Sequence, residues 1–260
     1  MKFETIEIED VGAVRIVRLA VPEALNAMSV QMCEDLIAAI DALGPEVRAM
    51  LMIGKGKAFC SGANLGKIDM MAGGEKLDFG QMLEDQVNPL MMRLRDLDIP
   101  WISAVRGPAA GAGCALALAA DLIVASETAY FMQAFVRIGL VPDAGSTWML
   151  PRAVGRARAM EMMLLGERVS AAQALDWGLI NRVVADDALE AAALDIAQRL
   201  AAGPRSVAML RQQVWRALDT SWGEALAAER IAQRDAGFTD DAQEGIAAFL
   251  AKRPAVFQGR

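Results

Sequence analysis

Histidine is absent from all 260 residues. A Ser-His-Asp triad, a histidine general base and a histidine-bearing zinc site are therefore excluded. Catalysis must rest on carboxylates, lysines, hydroxyls, thiols or backbone dipoles. Cysteine is scarce: Cys33, Cys60 and Cys114 are three in number and lie in apolar or Gly/Ala-rich surroundings. That pattern fits reduced, buried thiols better than disulfides or a metal cluster, so no metal site is expected. No apolar run reaches transmembrane length, and MKFETIEIED lacks the apolar stretch of a signal peptide. The expectation is a cytoplasmic protein with no membrane partner. Polar or Pro/Ser-rich tracts are missing too, and 55% hydrophobic with 23% charged residues predicts a fully folded chain. Positive charge is in deficit, 26 Lys and Arg against 33 Asp and Glu for a net charge of −7. Nucleic acid is disfavoured as a partner, and an anionic ligand must be met by local charge.

The length allows one large domain, or a core with a smaller appendage. Phe3 to Glu9 alternates, Gly12 marks a turn, and Val14 to Leu19 completes a hairpin. Ser29 caps a helix whose apolar positions Met32, Leu36, Ile40 and Leu43 recur at helical spacing until Gly44-Pro45. Arg48 to Ile53 and Pro100 to Val105 are almost continuously apolar, as strands buried on both faces are. Each leads into a glycine-rich loop, and Asp121 to Ala125 adds another strand. Beyond about residue 155 the pattern is mostly helical. Capping boxes are expected at Ser170 to Gln173 and Ser221 to Glu224, with helices near 186–201, 204–218, 222–235 and 240–251. The reading is an α/β core over 1–200 and a helical portion over 201–260. That portion is short and Ala-rich, and needs the core or a neighbouring subunit to bury its apolar face.

Two phosphate-binding motifs fail. Gly111-Ala112-Gly113 follows a strand, but Leu116 replaces the third glycine of a dinucleotide fingerprint. Gly62 to Lys67 is one residue short of a phosphate loop, and Ile68 stands where Ser or Thr should be. Both loops instead offer main chain that a ligand can approach, with unpaired N–H groups able to hold an oxyanion. Taken alone, a small-residue helix start is more simply explained by close packing of a helix on a sheet.

Almost end to end, the chain resembles the crotonase superfamily, the enoyl-CoA hydratase/isomerase family. The matching stretches are EALNAMS at 23–29, AFCSGANL at 58–65, VRGPAAGAGCALALAADLIVAS at 105–126, the long run IGLVPDAGSTWMLPRAVG through GLINRVV at 138–184, and AAFLAKRPAVFQGR at 247–260. The resemblance implies a spiral of repeated ββα units, a C-terminal α-helical trimerisation region, and a homotrimer or homohexamer. It implies an acyl-CoA thioester as the substrate, with no separate cofactor because CoA enters as part of it. By the same resemblance, the backbone N–H groups of Ala63 and Ala112 form the oxyanion hole. Ala24, Leu25, Asn26, Ser61, Gly62, Asn64 and Leu65 border CoA, and Phe249 and Lys252 of the last helix meet its adenine and phosphates.

Hydratases of this family carry two glutamates at positions that here hold Ala115 and Phe135, side chains that cannot move a proton. Asp143, in VPDAGSTW, coincides with the catalytic aspartate of family isomerases. The loop looks closest to those of ring epoxyphenylacetyl-CoA isomerases and related enoyl-CoA isomerases. By itself Pro142-Asp143-Ala144-Gly145 reads as a turn or helix N-cap; the resemblance makes Asp143 a proton carrier. Met82, Phe135 and Trp148 are expected to line the acyl pocket, and Phe135, Trp148 and Met132 to make it apolar enough to raise the proton affinity of Asp143. The expected activity is acyl-CoA isomerisation through an enolate. The alternatives are an enoyl-CoA hydratase or acyl-CoA hydrolase, and a non-catalytic CoA-binding or assembly subunit.

Overall fold

The structure, a computed structural model, describes residues 2–64 and 78–260. Its frame is a six-stranded sheet. The hairpin of β1 (Ile6–Val11) and β2 (Val14–Leu19) leads by parallel pairing to β3 (Ala49–Gly54), β4 (Trp101–Val105), β6 (Leu122–Ser126) and β9 (Arg182–Val184). A second sheet of three short strands orders β5 (Pro108–Ala110), β7 (Tyr130–Met132) and β8 (Arg168–Ser170). Isolated bridges Cys60↔Ala109 and Met28↔Ala63 extend this second layer backward through the chain. Each passage of the chain thus adds one strand to the large sheet and a short segment to the small layer, the spiral expected for the fold.

Helices cover both faces of the large sheet, which is why β3 and β4 are buried along their whole length. On one face α7 (Leu189–Ala201) packs Leu189, Ala193, Ile196 and Ala197 onto Ile16, Leu51 and Ile102. On the other lie α1 (Val30–Asp41), α3 (Asn88–Arg95) and α4 (Ala112–Leu118), sharing one core with the small sheet. The Ser29 hydroxyl accepts the Met32 N–H at 3.2 Å, so α1 starts where its cap predicts. The capping box at Ser221 is complete and begins α9 (Trp222–Gly237). At Ser170 the hydroxyl accepts the Gln173 N–H and begins α6 (Ala171–Asp176), with no return bond from Gln173 among the described residues. Between them, α5 (Ser146–Leu165) is broken at Gly155, whose φ of 78° and ψ of 160° leave the helical range.

The C-terminal helices α8 (Ser206–Ala217), α9 and α10 (Asp240–Leu250) contribute few fully buried side chains. Arg211 is their anchor. It is 6% exposed, and its guanidinium pairs with Asp121 at 2.7 Å while donating to the Leu94, Arg95 and Leu97 carbonyls. Trp222, Phe238 and Phe249 are by contrast between 77% and 82% exposed. Among the described residues, no helix is long and apolar enough to cross a membrane.

Candidate active site

Two loops meet at a pair of glycines. The loop after β3 is laced to β5 by Cys60 N–H to Pro108 O at 3.1 Å and Ala110 N–H to Cys60 O at 3.0 Å. Its other side is laced to Met28, whose N–H donates to Gly62 O while its carbonyl accepts the Asn64 N–H. Because bonding direction alternates along extended chain, the intervening Ala63 N–H is aimed away from Met28. The second loop joins β5 to α4 through Gly111, at φ 52° and ψ −127°. Ala112 opens that helix, so its N–H has no intrahelical acceptor. Among the described residues neither the Ala63 nor the Ala112 amide donates to a protein group.

The loops touch directly before those alanines. A methyl built on Gly62 would stand 2.9 Å from Ala110 O and 3.9 Å from the Gly111 Cα. One built on Gly111 would stand 3.9 Å from the Gly62 Cα and 3.8 Å from the Phe135 ring. At Gly62 close approach and positive φ both call for glycine, whereas at Gly111 the space would admit a methyl and the positive φ alone favours glycine. Gly113 presses α4 still harder onto the first loop: a β-carbon there would fall 2.3 Å from the Cys60 carbonyl oxygen. Gly113→Ala is therefore expected to part the two loops, destabilising the protein by about 1–3 kcal/mol through overpacking. Turnover should fall about tenfold or more while the protein remains folded; unchanged kinetics and melting temperature would refute this account of loop spacing.

Asp143 stands in a tight mirror-image turn. Ala144 and Gly145 have φ of 49° and 80°, and the Ser146 N–H donates to the Asp143 carbonyl at 2.9 Å. The N-cap of α5 is Gly145, with no side-chain cap, so the carboxylate does not serve the capping role that local sequence suggests. Its Oδ1 is buried without a hydrogen-bond partner among the described residues, and burial alone pushes the acid up to about 6. The helix that follows packs on α4 and on the short 3₁₀ turn Ala134–Ile138. Asp143 thus leads into a helix packed on both the helix that Ala112 opens and the turn that holds Phe135. Phe135 is 6% exposed and Ala115 fully buried, so the two hydratase-glutamate positions lie in apolar packing.

The other expected residues divide. Ala24, Leu25 and Asn26 do adjoin Ser61 and Gly62: Ser61 N–H donates to Leu25 O at 3.1 Å and its hydroxyl to Ala24 O at 3.4 Å. Asn26 has no side-chain atoms to offer a ligand. It is fully buried, accepting from Val21 N–H and donating to the Lys55 and Ala58 carbonyls. Leu65 lies outside the described residues. Met82, half-buried, ends the short α2 (Phe79–Met82), and Glu84 and Asp85 in the next turn are exposed. Phe249 and Lys252 are exposed around the end of α10.

Trp148 requires a correction. Its ring stacks on Trp215 of α8 with centroids 5.8 Å apart, and the Arg152 guanidinium covers it at 4.0 Å. It belongs to a groove of about 550 Å³ between α5 and α8 whose lining includes neither Asp143 nor Phe135. The reason is helical phase: Ser146 and Leu150 turn inward, and a residue two places from each faces about 200° around the axis.

Sequence reasoning missed two groups. Gln133 and Ser146 are fully buried, and their side-chain polar atoms meet no hydrogen-bonding geometry among the described residues. Gln133 lies near enough to the Cys114 thiol to offset a little of the rise that burial imposes on it.

The sequence profile of the family described as enoyl-CoA hydratase/isomerase matches residues 9–260. The chain belongs to that family. It is 41% identical over the full length of both chains to a probable enoyl-CoA hydratase of Rhodobacter capsulatus. It is 40% identical to the 1,2-epoxyphenylacetyl-CoA isomerase of Escherichia coli, covering 92% of each. A crystal structure of an enoyl-CoA hydratase subunit from Geobacillus kaustophilus superposes over the whole of both chains with a TM-score of 0.91 at 36% identity. As a member of the enoyl-CoA hydratase/isomerase family, the protein has the crotonase fold and is an enzyme acting on acyl-CoA thioesters.

Proposed function

We propose that the protein is an acyl-CoA isomerase in which Asp143 moves a proton along an enolate held by the Ala63 and Ala112 amides. The observation that carries this reading is the half-buried Asp143 carboxyl, with one oxygen buried and unpartnered among the described residues and its proton affinity raised, while both hydratase-glutamate positions hold hydrocarbon. The two N–H groups polarise the thioester carbonyl and meet the negative charge that grows as the enolate forms. Asp143, an acid titrating near 6, is mostly ionised at neutral pH yet basic enough to take an α- or γ-hydrogen. It returns that proton at another carbon. A shuttle needs one carboxylate, whereas hydration also needs an oriented water, for which Ala115 and Phe135 provide nothing. The Ala24–Asn26 and Ser61–Asn64 main chains, which adjoin, border CoA. Phe249 and Lys252 reach it from a neighbouring subunit in a homotrimer or homohexamer, an assembly supported by the bare apolar side chains of α9 and α10.

The test is turnover of linear, branched and aromatic acyl-CoAs in deuterated and in ¹⁸O-labelled water, read by mass spectrometry. Double-bond migration without ¹⁸O in the product is expected, with deuterium at carbon to the extent that the Asp143 proton exchanges with solvent between the two transfers. Incorporation of ¹⁸O at catalytic rate would establish the hydratase or hydrolase reading instead.

A further inference from the structure

The chain beyond α10 turns back and runs along its own helix. Asp241, Glu244, Gly245 and Ala248 recur at helical spacing and form one face, which the tail covers. Asp241 is 2% exposed and accepts the Gln258 and Gly259 N–H groups at 2.6 and 2.8 Å, with that of Arg205 at 2.8 Å. Glu244 accepts the Val256 N–H at 2.9 Å and two nitrogens of the Arg253 guanidinium at 2.7 Å each. A β-carbon on Gly245 would stand 3.3 Å from the Phe257 ring. Ile246, Phe249 and Leu250 turn away from this face and are exposed. Lys252 joins helix to tail. The Arg253 N–H donates to Ala248 O at 3.0 Å and the Lys252 N–H to Phe249 O at 3.2 Å, the paired bonds that close a helix on a left-handed residue, ordinarily glycine. Lys252 takes that conformation with φ 53°. Its β-carbon makes the turn costly, and a residue other than glycine stays there only where its surroundings impose it. The helix dipole does not explain the choice, since a lysine anywhere in the last turn would meet it equally well.

Resting on the reading above that Phe249 and Lys252 meet CoA, we propose that Glu244 and Arg253 are positioning residues that hold Lys252 in its left-handed turn, where its ammonium is offered to the CoA phosphates beside the Phe249 ring. Neither touches the substrate. Arg253 follows Lys252 directly, and its two-pronged bond to Glu244 is the geometry in which arginine grips a carboxylate most firmly. That fork, with the Val256 N–H, holds the Glu244 carboxyl down to about 2, so it is ionised at neutral pH. Asp241 fixes the rest of the tail one turn earlier on the same face, and the fork is thus closed at both ends of the segment it constrains. A lysine where glycine would be more stable exchanges stability for a charge at the end of the helix.

The experiment measures binding of CoA, and of pantetheine, which lacks the nucleotide, to the full-length protein by calorimetry, alongside kcat for the acyl-CoA turned over best. Glu244→Gln and Arg253→Ala are each expected to raise the Kd for CoA about three- to fivefold, with the Kd for pantetheine and kcat at saturation unchanged. Lys252→Gly should weaken CoA in the same way yet melt about 2 °C higher, because glycine relaxes the turn. An unchanged Kd for CoA in either fork variant, a loss shared equally by CoA and pantetheine, or a Lys252→Gly protein that melts no higher would overturn the proposal. The reading of Phe249 and Lys252 as CoA contacts fails separately, if Phe249→Ala and Lys252→Gly both bind CoA as the natural protein does.

Discussion

Asp143→Asn is expected to lower the rate of proton exchange in acyl-CoA by at least about 10²–10⁴, the usual contribution of a positioned acid–base group. The substitution is nearly isosteric, so substrate binding should change little. Stability supplies the control. The folded acid titrates near 6 against 3.8 for an ordinary aspartate, so the folded state binds its proton more tightly than the unfolded one. Below both values the group contributes nothing. As pH rises from about 4 to 6 the unfolded chain ionises first, and the natural protein loses stability. Complete at neutral pH, that loss is about 1–2 kcal/mol once the solvent-exposed part of the side chain is allowed for. Asp143→Asn removes the penalty and should melt higher at pH 7, with the advantage gone near pH 3. An inactive variant that is less stable at neutral pH would show that the carboxylate is structural.

The largest expected loss of stability is at Arg211. Removing its side chain strands Asp121, which keeps only the Trp101 N–H and the Trp215 indole N–H, and deprives three carbonyls at the end of α3 of their donor. Breaking one side of a buried ion pair costs about 3–5 kcal/mol. For Arg211→Ala this corresponds to roughly 10 °C in melting temperature for a chain of this size. Arg211→Lys should recover only part, because an ammonium cannot reproduce a guanidinium fork that reaches four acceptors. A shift of about 2 °C or less for Arg211→Ala would mean that the C-terminal helices are held by something else.

The frame of the molecule was readable because its signals are local. Continuous apolar runs marked β3 and β4, and side-chain caps marked the starts of α1, α6 and α9. The second sheet was not readable: three-residue strands such as β5 and β8 carry no periodicity, and pairing across the chain creates them. At the site, the glycines announced close main-chain approach, but their mutual contact, Gly62 on Gly111, is a tertiary fact. Asp143 was singled out by its position in a family loop, while its unpaired state depends on the turn at Ala144 and Gly145. Trp148 was misplaced because a sequence neighbour of an important residue was assigned to the same pocket, and helical phase carried it to the opposite side.

The placement of the thiols bears on the chemical hazard of the substrate class. An α,β-unsaturated thioester is a Michael acceptor, and Cys60 and Cys114 flank the loops proposed to hold its carbonyl. Burial raises them to about 11 and about 12, so at neutral pH only about one thiol in 10⁴–10⁵ is ionised. Thiols held so far towards the neutral form are poor nucleophiles toward an electrophilic acyl-CoA.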